Sequence, residues 1–97
     1  MSVTDFVKID KELIANLRFP SEEVLKDISL IRDRIADLEK ALSLGNLEHA
    51  KIKIYFEDDE SHKVVETTVW AVTDKRVILK QGVGIPINRI HSVQLIG

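Results

Sequence analysis

Three histidines and one acidic run are the residues of this chain that could carry acid–base or metal chemistry. His49, His62 and His91 share no spacing of the kind that pairs zinc ligands on one element, so each is predicted to be a surface or turn residue. The acidic run Glu57–Glu60 offers the oxygen ligands that a hard cation such as calcium prefers. It lacks the glycine and the spaced oxygens of a dedicated calcium loop, and we therefore predict a solvated hairpin tip.

Other catalytic signatures are also missing from the sequence. It contains no glycine-rich phosphate loop and no nucleophile-elbow motif. It has no cysteine, which removes disulfides, thiolate chemistry and cysteine-based zinc sites. The sequence therefore predicts no enzyme, no cofactor and no metal site.

Aromatic and basic residues in the second half could instead bind a partner. Lys53, Tyr55 and Trp70 are predicted on one sheet face, where rings beside a base could stack on nucleic-acid bases. We favour the alternative that Trp70 is buried, either under the C-terminal strands or at a dimer interface, because apolar residues surround it. The candidate interaction face consists of Lys53, Tyr55, Trp70 and Arg76.

The charge balance bears on the class of partner. The 97 residues carry a net charge of −2, with −3 in residues 1–49 and +1 in residues 50–97. Neither half has the basic excess typical of proteins that bind nucleic acids or anionic membranes, so nucleic acid is the less favoured partner. The first residues do not form the uninterrupted apolar stretch of a signal peptide, and no apolar run approaches the roughly 18 residues that span a bilayer. We expect a cytoplasmic protein without a transmembrane segment.

A long helix is predicted over about residues 21–44. Pro20 disfavours helical geometry in the residue before it, and Ser21 is a good N-cap. Gly45 and Asn46 are typical of a helix stop.

The apolar residues of this helix form a seam with two positions in every seven. The steps alternate between four and three residues through Val24, Ile28, Ile31, Ile35, Leu38 and Leu42. We expect the seam to pack on the protein's own sheet, with Ile31 and Ile35 at the centre of the buried stripe. The alternative is that it pairs with a second helix, in a coiled coil or a dimer.

Upstream of Pro20, a shorter first helix is predicted to begin near Asp10, because apolar residues recur there at helical spacing: Phe6, Ile9, Leu13 and Leu17. Residues 6–9 could equally be extended.

After residue 50 the period changes to two, with Ile52, Ile54 and Phe56 alternating with polar residues. Short β-branched runs separated by turns follow, which predicts an antiparallel meander of four or five strands.

Pairing these strands raises the question of what covers the second face of the sheet. With Phe56 opposite Val65, one face carries Ile52, Ile54, Val65, Val69 and Ala71. The other face then carries Lys53, Tyr55, Glu66, Trp70, Val72, Val77 and Leu79. The helices can cover only one of them. We expect the other to be covered either by the last strands, closing a small barrel, or by a second copy of the chain.

Two stretches, WAVTDKRVILKQG and IPINRIHSV, resemble the strand motifs of bacterial pleckstrin-homology-like (PH-like) and GRAM domains. The shared features lie within residues 63–96, about a third of the chain: Trp70, Thr73, Asp74, Arg76, Val77, Leu79, Ile85, Pro86, Ile90 and Val93. Those domains have seven strands and a C-terminal helix, whereas four residues follow Val93 here.

The chain also resembles SH3-like and Sm-like small barrels, which have an N-terminal helix and five strands. Thr67 and Thr68 stand where those barrels use a glycine to bend the second strand. Either resemblance implies binding of a protein, lipid or nucleic acid rather than catalysis.

Together these observations predict a single α+β domain, residues 1–97, with a helical part at 1–48 and an antiparallel β part at 50–97. Two N-terminal helices, the second one long, are expected to pack on a four- to five-stranded meander or small barrel. The predicted function is that of a non-catalytic interaction or regulatory module. Its expected partner is either an unidentified protein or, in a homodimer, a second copy of the chain. The alternative is a nucleic-acid-binding small β-barrel.

Overall fold

The computed structural model describes residues 5–96, which form one α-helix, seven strands and three 3₁₀ segments. The helix is α1 (Ile28–Glu48), and the strands are β1 (Val7–Ile9), β2 (Ile52–Glu57), β3 (His62–Thr67), β4 (Val69–Val72), β5 (Arg76–Leu79), β6 (Gly84–Pro86) and β7 (Ile90–Leu95). The 3₁₀ segments are Lys11–Asn16, Lys80–Gly82 and Ile87–Arg89. Over residues 5–96, no helix combines the length and the apolar character needed to cross a membrane. The predicted α+β class is confirmed.

The strands form two sheets that share one hydrophobic core. In the four-stranded sheet the order is β1-β3-β2-β7, with β1 parallel to β3 and the other neighbours antiparallel. The three-stranded sheet has the antiparallel order β4-β5-β6. Only Thr68 separates β3 from β4, so the chain passes directly from one sheet to the other. The Thr68 hydroxyl donates to the His49 carbonyl (3.4 Å), and the Thr68 carbonyl accepts from the N–H of Lys80 (2.9 Å).

The β2–β3 hairpin has the predicted inward face but a different register. Ile54, not Phe56, lies opposite Val65, a shift of two residues. Because side chains alternate with a period of two, this shift keeps the same residues on the same face. Ile52, Ile54, Phe56 and Val65 are all at most 1% exposed.

A bulge in β4 changes which side chains face the core. Val69 pairs with Leu79 and Ala71 with Ile78, so Trp70 is an extra residue without a partner on β5. An inserted residue reverses the alternation of side chains beyond it. The two sides of β4 are therefore exchanged after Trp70.

This exchange overturns the prediction of a second apolar face. Val69 is fully buried, and Val72 packs partly buried against the same core. Val77 and Leu79, which were expected beside Trp70, are also fully buried in that core. Trp70 points away and is 50% exposed, so the prediction that it is buried within the fold is wrong.

The predicted first helix is also wrong. Residues 7–9 are extended and pair with β3, and Lys11–Asn16 forms a 3₁₀ segment rather than an α-helix. The pairing of β1 leaves too few residues before Pro20 for a stable α-helix, since short helices gain little from their own hydrogen bonds. Ile14 is the residue of the segment that the core buries. The helical part of the domain thus contributes a strand to the sheet.

The long helix begins seven residues later than predicted. Asp27, rather than Ser21, is the N-cap, because its carboxylate accepts from the N–H of Ser29 at 2.8 Å. The Ser29 hydroxyl and N–H lower the pKa of Asp27 below its usual value. The segment before it is extended along the protein, where the N–H of Val24 donates to the Asn88 carbonyl at 3.0 Å.

Gly45 does not end the helix as predicted but brings it close to β4. Gly45 is buried, and a Cβ placed there would overlap the carbonyl oxygen of Val69 and lie 3.3 Å from Cγ2 of Thr68. The helix continues to Glu48 and ends at His49, whose left-handed conformation (φ 54°) lets its N–H bond the Gly45 carbonyl at 3.2 Å.

The close approach at Gly45 determines which side of α1 faces the sheets. The buried residues of the helix are Arg34, Leu38, Ala41 and Gly45. Ile31 is half-buried at the edge of this side, and Ile35 is 49% exposed. The prediction that Ile31 and Ile35 form the centre of the buried stripe is therefore wrong.

Arg34 links α1 to the segment before it and to β7. Its Nη1 donates to the Glu23 carboxylate (2.7 Å) and to the Ile90 carbonyl (2.9 Å), and the residue is 4% exposed. Burial alone would raise the pKa of Glu23, but hydrogen bonds from Arg34 and from the N–H of Leu25 lower it below its usual value. The carboxylate therefore stays charged opposite the buried guanidinium.

We expect Gly45→Ala to destabilise the fold. Alanine is the better helix former by about 1 kcal/mol, but its Cβ would collide with the backbone of β4, and overpacking of this kind costs about 1–3 kcal/mol. Urea unfolding followed by circular dichroism measures the free energy, with Ser43→Ala as an exposed control in the same helix. A more stable Gly45→Ala variant would contradict the close approach.

Candidate functional site

Four apolar residues of α1 form a partly exposed stripe along one side of the helix. Ile28 and Ile35 are 63% and 49% exposed, and Ile31 and Leu42 are half-buried. We call these four residues the α1 stripe. All of them belong to the predicted seam, whereas Leu38 of the same seam is buried in the core.

An apolar groove of about 410 Å³ borders the stripe. It lies between α1 and the connection from β4 to β5, and its apolar lining consists of Ile35, Leu38, Leu42, Val72 and Ile87. Glu39, Thr73 and Asp74 form its polar edge. The stripe is therefore continuous with a concave apolar surface rather than isolated on a convex helix.

The β4–β5 turn, which forms one wall of the groove, is held by its own hydrogen bonds. The Thr73 side-chain oxygen accepts from the N–H of Lys75 (3.2 Å) and of Arg76 (2.9 Å). The Thr73 N–H donates to the Arg76 carbonyl at 2.8 Å. This short-range network stabilises the turn locally, and the N–H of Ile87 also donates to the Lys75 carbonyl at 2.9 Å.

Charged side chains flank the α1 stripe on its solvent side. Arg32 and Glu39 are exposed and lie seven residues, or about two helical turns, apart on the same flank. Among the residues that the structure describes, neither forms a salt bridge. Both are therefore available to a partner that lies along the stripe.

The predicted interaction face is divided between the two sheets. Lys53 and Tyr55 lie on the outer side of β2, where the Tyr55 hydroxyl donates to Oε1 of Gln94 at 2.9 Å. Trp70 lies at the bulge of β4, and Arg76 is exposed on β5. Over residues 5–96, no hydrogen bond, ion pair or ring contact joins the first two side chains to the other two.

Two of the three histidines meet at one carboxylate, which the sequence did not predict. Nε2 of His62 and Nε2 of His91 lie 3.1 Å and 3.0 Å from the same oxygen, Oε1 of Glu57. His49 is apart from them, at the end of α1. One signal was available, because a hairpin around the acidic run brings Glu57 and His62 close together, and in the structure they lie directly opposite each other. The arrival of His91 depends on an irregularity in β7 that no pattern in the sequence indicates.

The acidic run is only partly the solvated tip that was predicted. Asp59 and Glu60 are exposed, but Asp58 is 3% exposed. The Asp58 carboxylate accepts from Nζ of Lys63 (2.7 Å) and from the N–H groups of Glu60 and Ser61 (3.0 and 2.8 Å). Burial alone would raise the pKa of Asp58, but these hydrogen bonds lower it below its usual value. Asp58 is therefore a charged residue that holds the turn.

Comparison with protein-family models, with curated proteins and with solved structures finds no match for the chain. The resemblances to PH-like and GRAM domains and to SH3-like and Sm-like barrels therefore stay predictions. Within residues 5–96, the α1 stripe and the cluster of Glu57, His62 and His91 are the arrangements that support a functional proposal.

The division of the seam between core and surface has a measurable consequence. We expect Leu38→Ala to lower the free energy of unfolding by about 2–5 kcal/mol, because it opens a cavity in the core. Ile35→Ala should cost less than about 1 kcal/mol, because half of that side chain is already in water. Chemical unfolding at a protein concentration low enough to exclude self-association makes the comparison. Equal losses would contradict the observed rotation of α1.

Proposed function

We propose that the chain is a non-catalytic protein-interaction module, and that its docking surface, the α1 stripe, binds the α1 stripe of a second copy. One observation carries the proposal. Ile28 and Ile35 lie seven residues apart on the exposed side of a helix that already buries its other side in the core. Isoleucines at this spacing, left in water, are typical of a helix that packs against another helix.

The apolar area that the stripe exposes favours its burial against a partner. A large aliphatic side chain that stays in water forgoes about 1.5–3 kcal/mol of burial. Ile28 and Ile35 are each about half exposed or more, and the adjoining groove adds further apolar surface. Contiguous exposed apolar surface of this kind marks an interaction site more often than scattered single residues do.

Charge complementarity supports a second copy as the occupant. Arg32 and Glu39 lie on the same flank of the stripe, one on each side of Ile35 along the helix. In an antiparallel two-fold pairing about Ile35, Arg32 of each copy approaches Glu39 of the other. A two-fold interface forms such a contact twice, since the same patch meets itself. Parallel pairing would bring opposite flanks together and would not form these contacts.

We also infer that the two sheets form one small barrel, so that self-association uses the helix and not a face of a sheet. The direct passage from β3 to β4 at Thr68 supports this, as does the pairing of β7 with β2, the first strand after α1. The SH3-like and Sm-like resemblance likewise implies a helix followed by a small barrel of strands. Such a barrel covers the inner faces of both sheets by itself.

Sedimentation equilibrium over a concentration series tests the docking surface. We expect the wild-type chain to approach a dimer mass as concentration rises, and Ile35→Lys to remain a monomer, because a buried lysine charge is costly at an apolar interface. Leu47→Lys is the matched control, since Leu47 is 78% exposed on another side of the same helix. A wild-type chain that stays monomeric at high concentration would refute the proposal.

Charge reversal tests the antiparallel arrangement separately. Arg32→Glu and Glu39→Arg should each weaken the dimer, since each places like charges together at two symmetric contacts, and the double variant should restore it. Exposed ion pairs contribute about 0.2–1 kcal/mol each, so the loss of two should change the dissociation constant roughly two- to thirtyfold at low salt. Failure of the double variant to regain the affinity that the single variants lose would exclude this pairing.

A further inference from the structure

A second feature, independent of the α1 stripe, lies on the four-stranded sheet. Glu57 ends β2, His62 begins β3 and His91 lies in β7, so the three residues come from three adjacent strands. One ligand atom from each residue lies within 4.8 Å of the other two. All three side chains are partly buried, with 24–32% exposed.

The distances within the cluster are close to the spacing of ligands around one metal ion, and slightly shorter. Metal bonds to imidazole nitrogen and carboxylate oxygen are about 2.0–2.2 Å long, which places tetrahedral ligand atoms about 3.3–3.6 Å apart. The two histidine nitrogens lie 3.1 and 3.0 Å from Oε1 of Glu57. An ion would therefore need only small movements of these side chains to enter between them.

A bulge in β7 brings His91 into the cluster. Tyr55 pairs with Ser92 and Phe56 pairs with Ile90, so His91 is an extra residue between them. Without it, the alternation from Val93 would turn His91 toward the core. With it, Ile90 is fully buried and His91 is partly exposed on the outer side of the sheet. Bulges that redirect a side chain in this way are common beside functional sites.

Neighbouring residues hold the carboxylate and cover the imidazoles. Nε of Arg89 donates to the Glu57 carbonyl at 3.1 Å, and Nη2 of Arg89 lies 3.6 Å from Oε2 of Glu57, which leaves Oε1 toward the histidines. The ring of Phe6 packs edge-on against His62 and His91, with centroids 5.2 and 5.7 Å away. Partners that orient a ligand and apolar groups that limit water around it are both characteristic of metal sites.

We propose that Glu57, His62 and His91 form a binding site for a divalent first-row transition metal of the zinc class. Two imidazoles and one carboxylate suit zinc, whereas calcium and magnesium prefer sites made entirely of oxygen. Three protein ligands leave a fourth tetrahedral position for water. A bound ion links β2, β3 and β7 at one end of the sheet.

The test is calorimetric titration of Zn²⁺ into chelator-treated full-length protein, on the Ile35→Lys background, so that self-association does not contribute. We expect saturation at one ion per chain, with binding weakened at least about tenfold in His62→Ala, His91→Ala and Glu57→Gln, since even the loss of a partner that only supports a ligand costs 10–100-fold. His49→Asn is the matched control, because asparagine tolerates the left-handed conformation at that position.

Nuclear magnetic resonance of the imidazole nitrogens gives a readout that does not depend on the variants. Zinc should shift the Nε2 signals of two histidines and leave those of His49 unchanged. Absence of saturable zinc binding by the protein that carries only Ile35→Lys would overturn the proposal. Binding that is equally tight in the His62→Ala, His91→Ala double variant, or equal shifts of all three histidines, would overturn it as well.

Discussion

The close contact between Gly45 of α1 and the Val69 carbonyl of β4 sets how the helix packs on the sheets. It requires a residue without a side chain, and it sets both the distance and the rotation of the helix relative to the sheets. The side of the helix that carries Arg34, Leu38 and Ala41 then faces the core. Ile28 and Ile35, on the adjoining side, stay exposed. The exposed α1 stripe is therefore a consequence of this close packing rather than a defect in it.

The two bulges have comparable effects within the sheets. In β4 the extra residue Trp70 turns Val72 inward, so that Val69 and Val72, which a regular strand would place on opposite faces, contact the same core. In β7 the extra residue His91 lies beside Glu57 while Ile90 stays buried. A strand with an added residue keeps its core contacts and also presents a chosen side chain on the outside. The candidate metal site and the single core thus have the same kind of structural origin.

Sequence patterns predicted the periodic parts of this fold and failed where a single contact or residue breaks the period. The alternation around Ile54 and the heptad seam around Ile35 correctly indicated a strand and a helix. The seam could not indicate the rotation of α1, because that depends on a glycine that equally resembles a helix stop. The proximity of Glu57 and His62 could have been predicted, because both residues flank the same hairpin turn. The position of His91 could not have been predicted, since it needs an irregular pairing between strands distant in the chain.

The proposed pairing of α1 with α1 of a second copy places equivalent residues of the two helices at a fixed distance from each other. The chain has no cysteine, so Ala36→Cys provides one spin-label site, exposed and next to Ile35. Electron–electron double resonance on concentrated samples should give a dipolar coupling with a defined distance, and addition of Ile35→Lys should abolish it. An absence of coupling, or coupling that persists in the Ile35→Lys variant, would contradict this pairing.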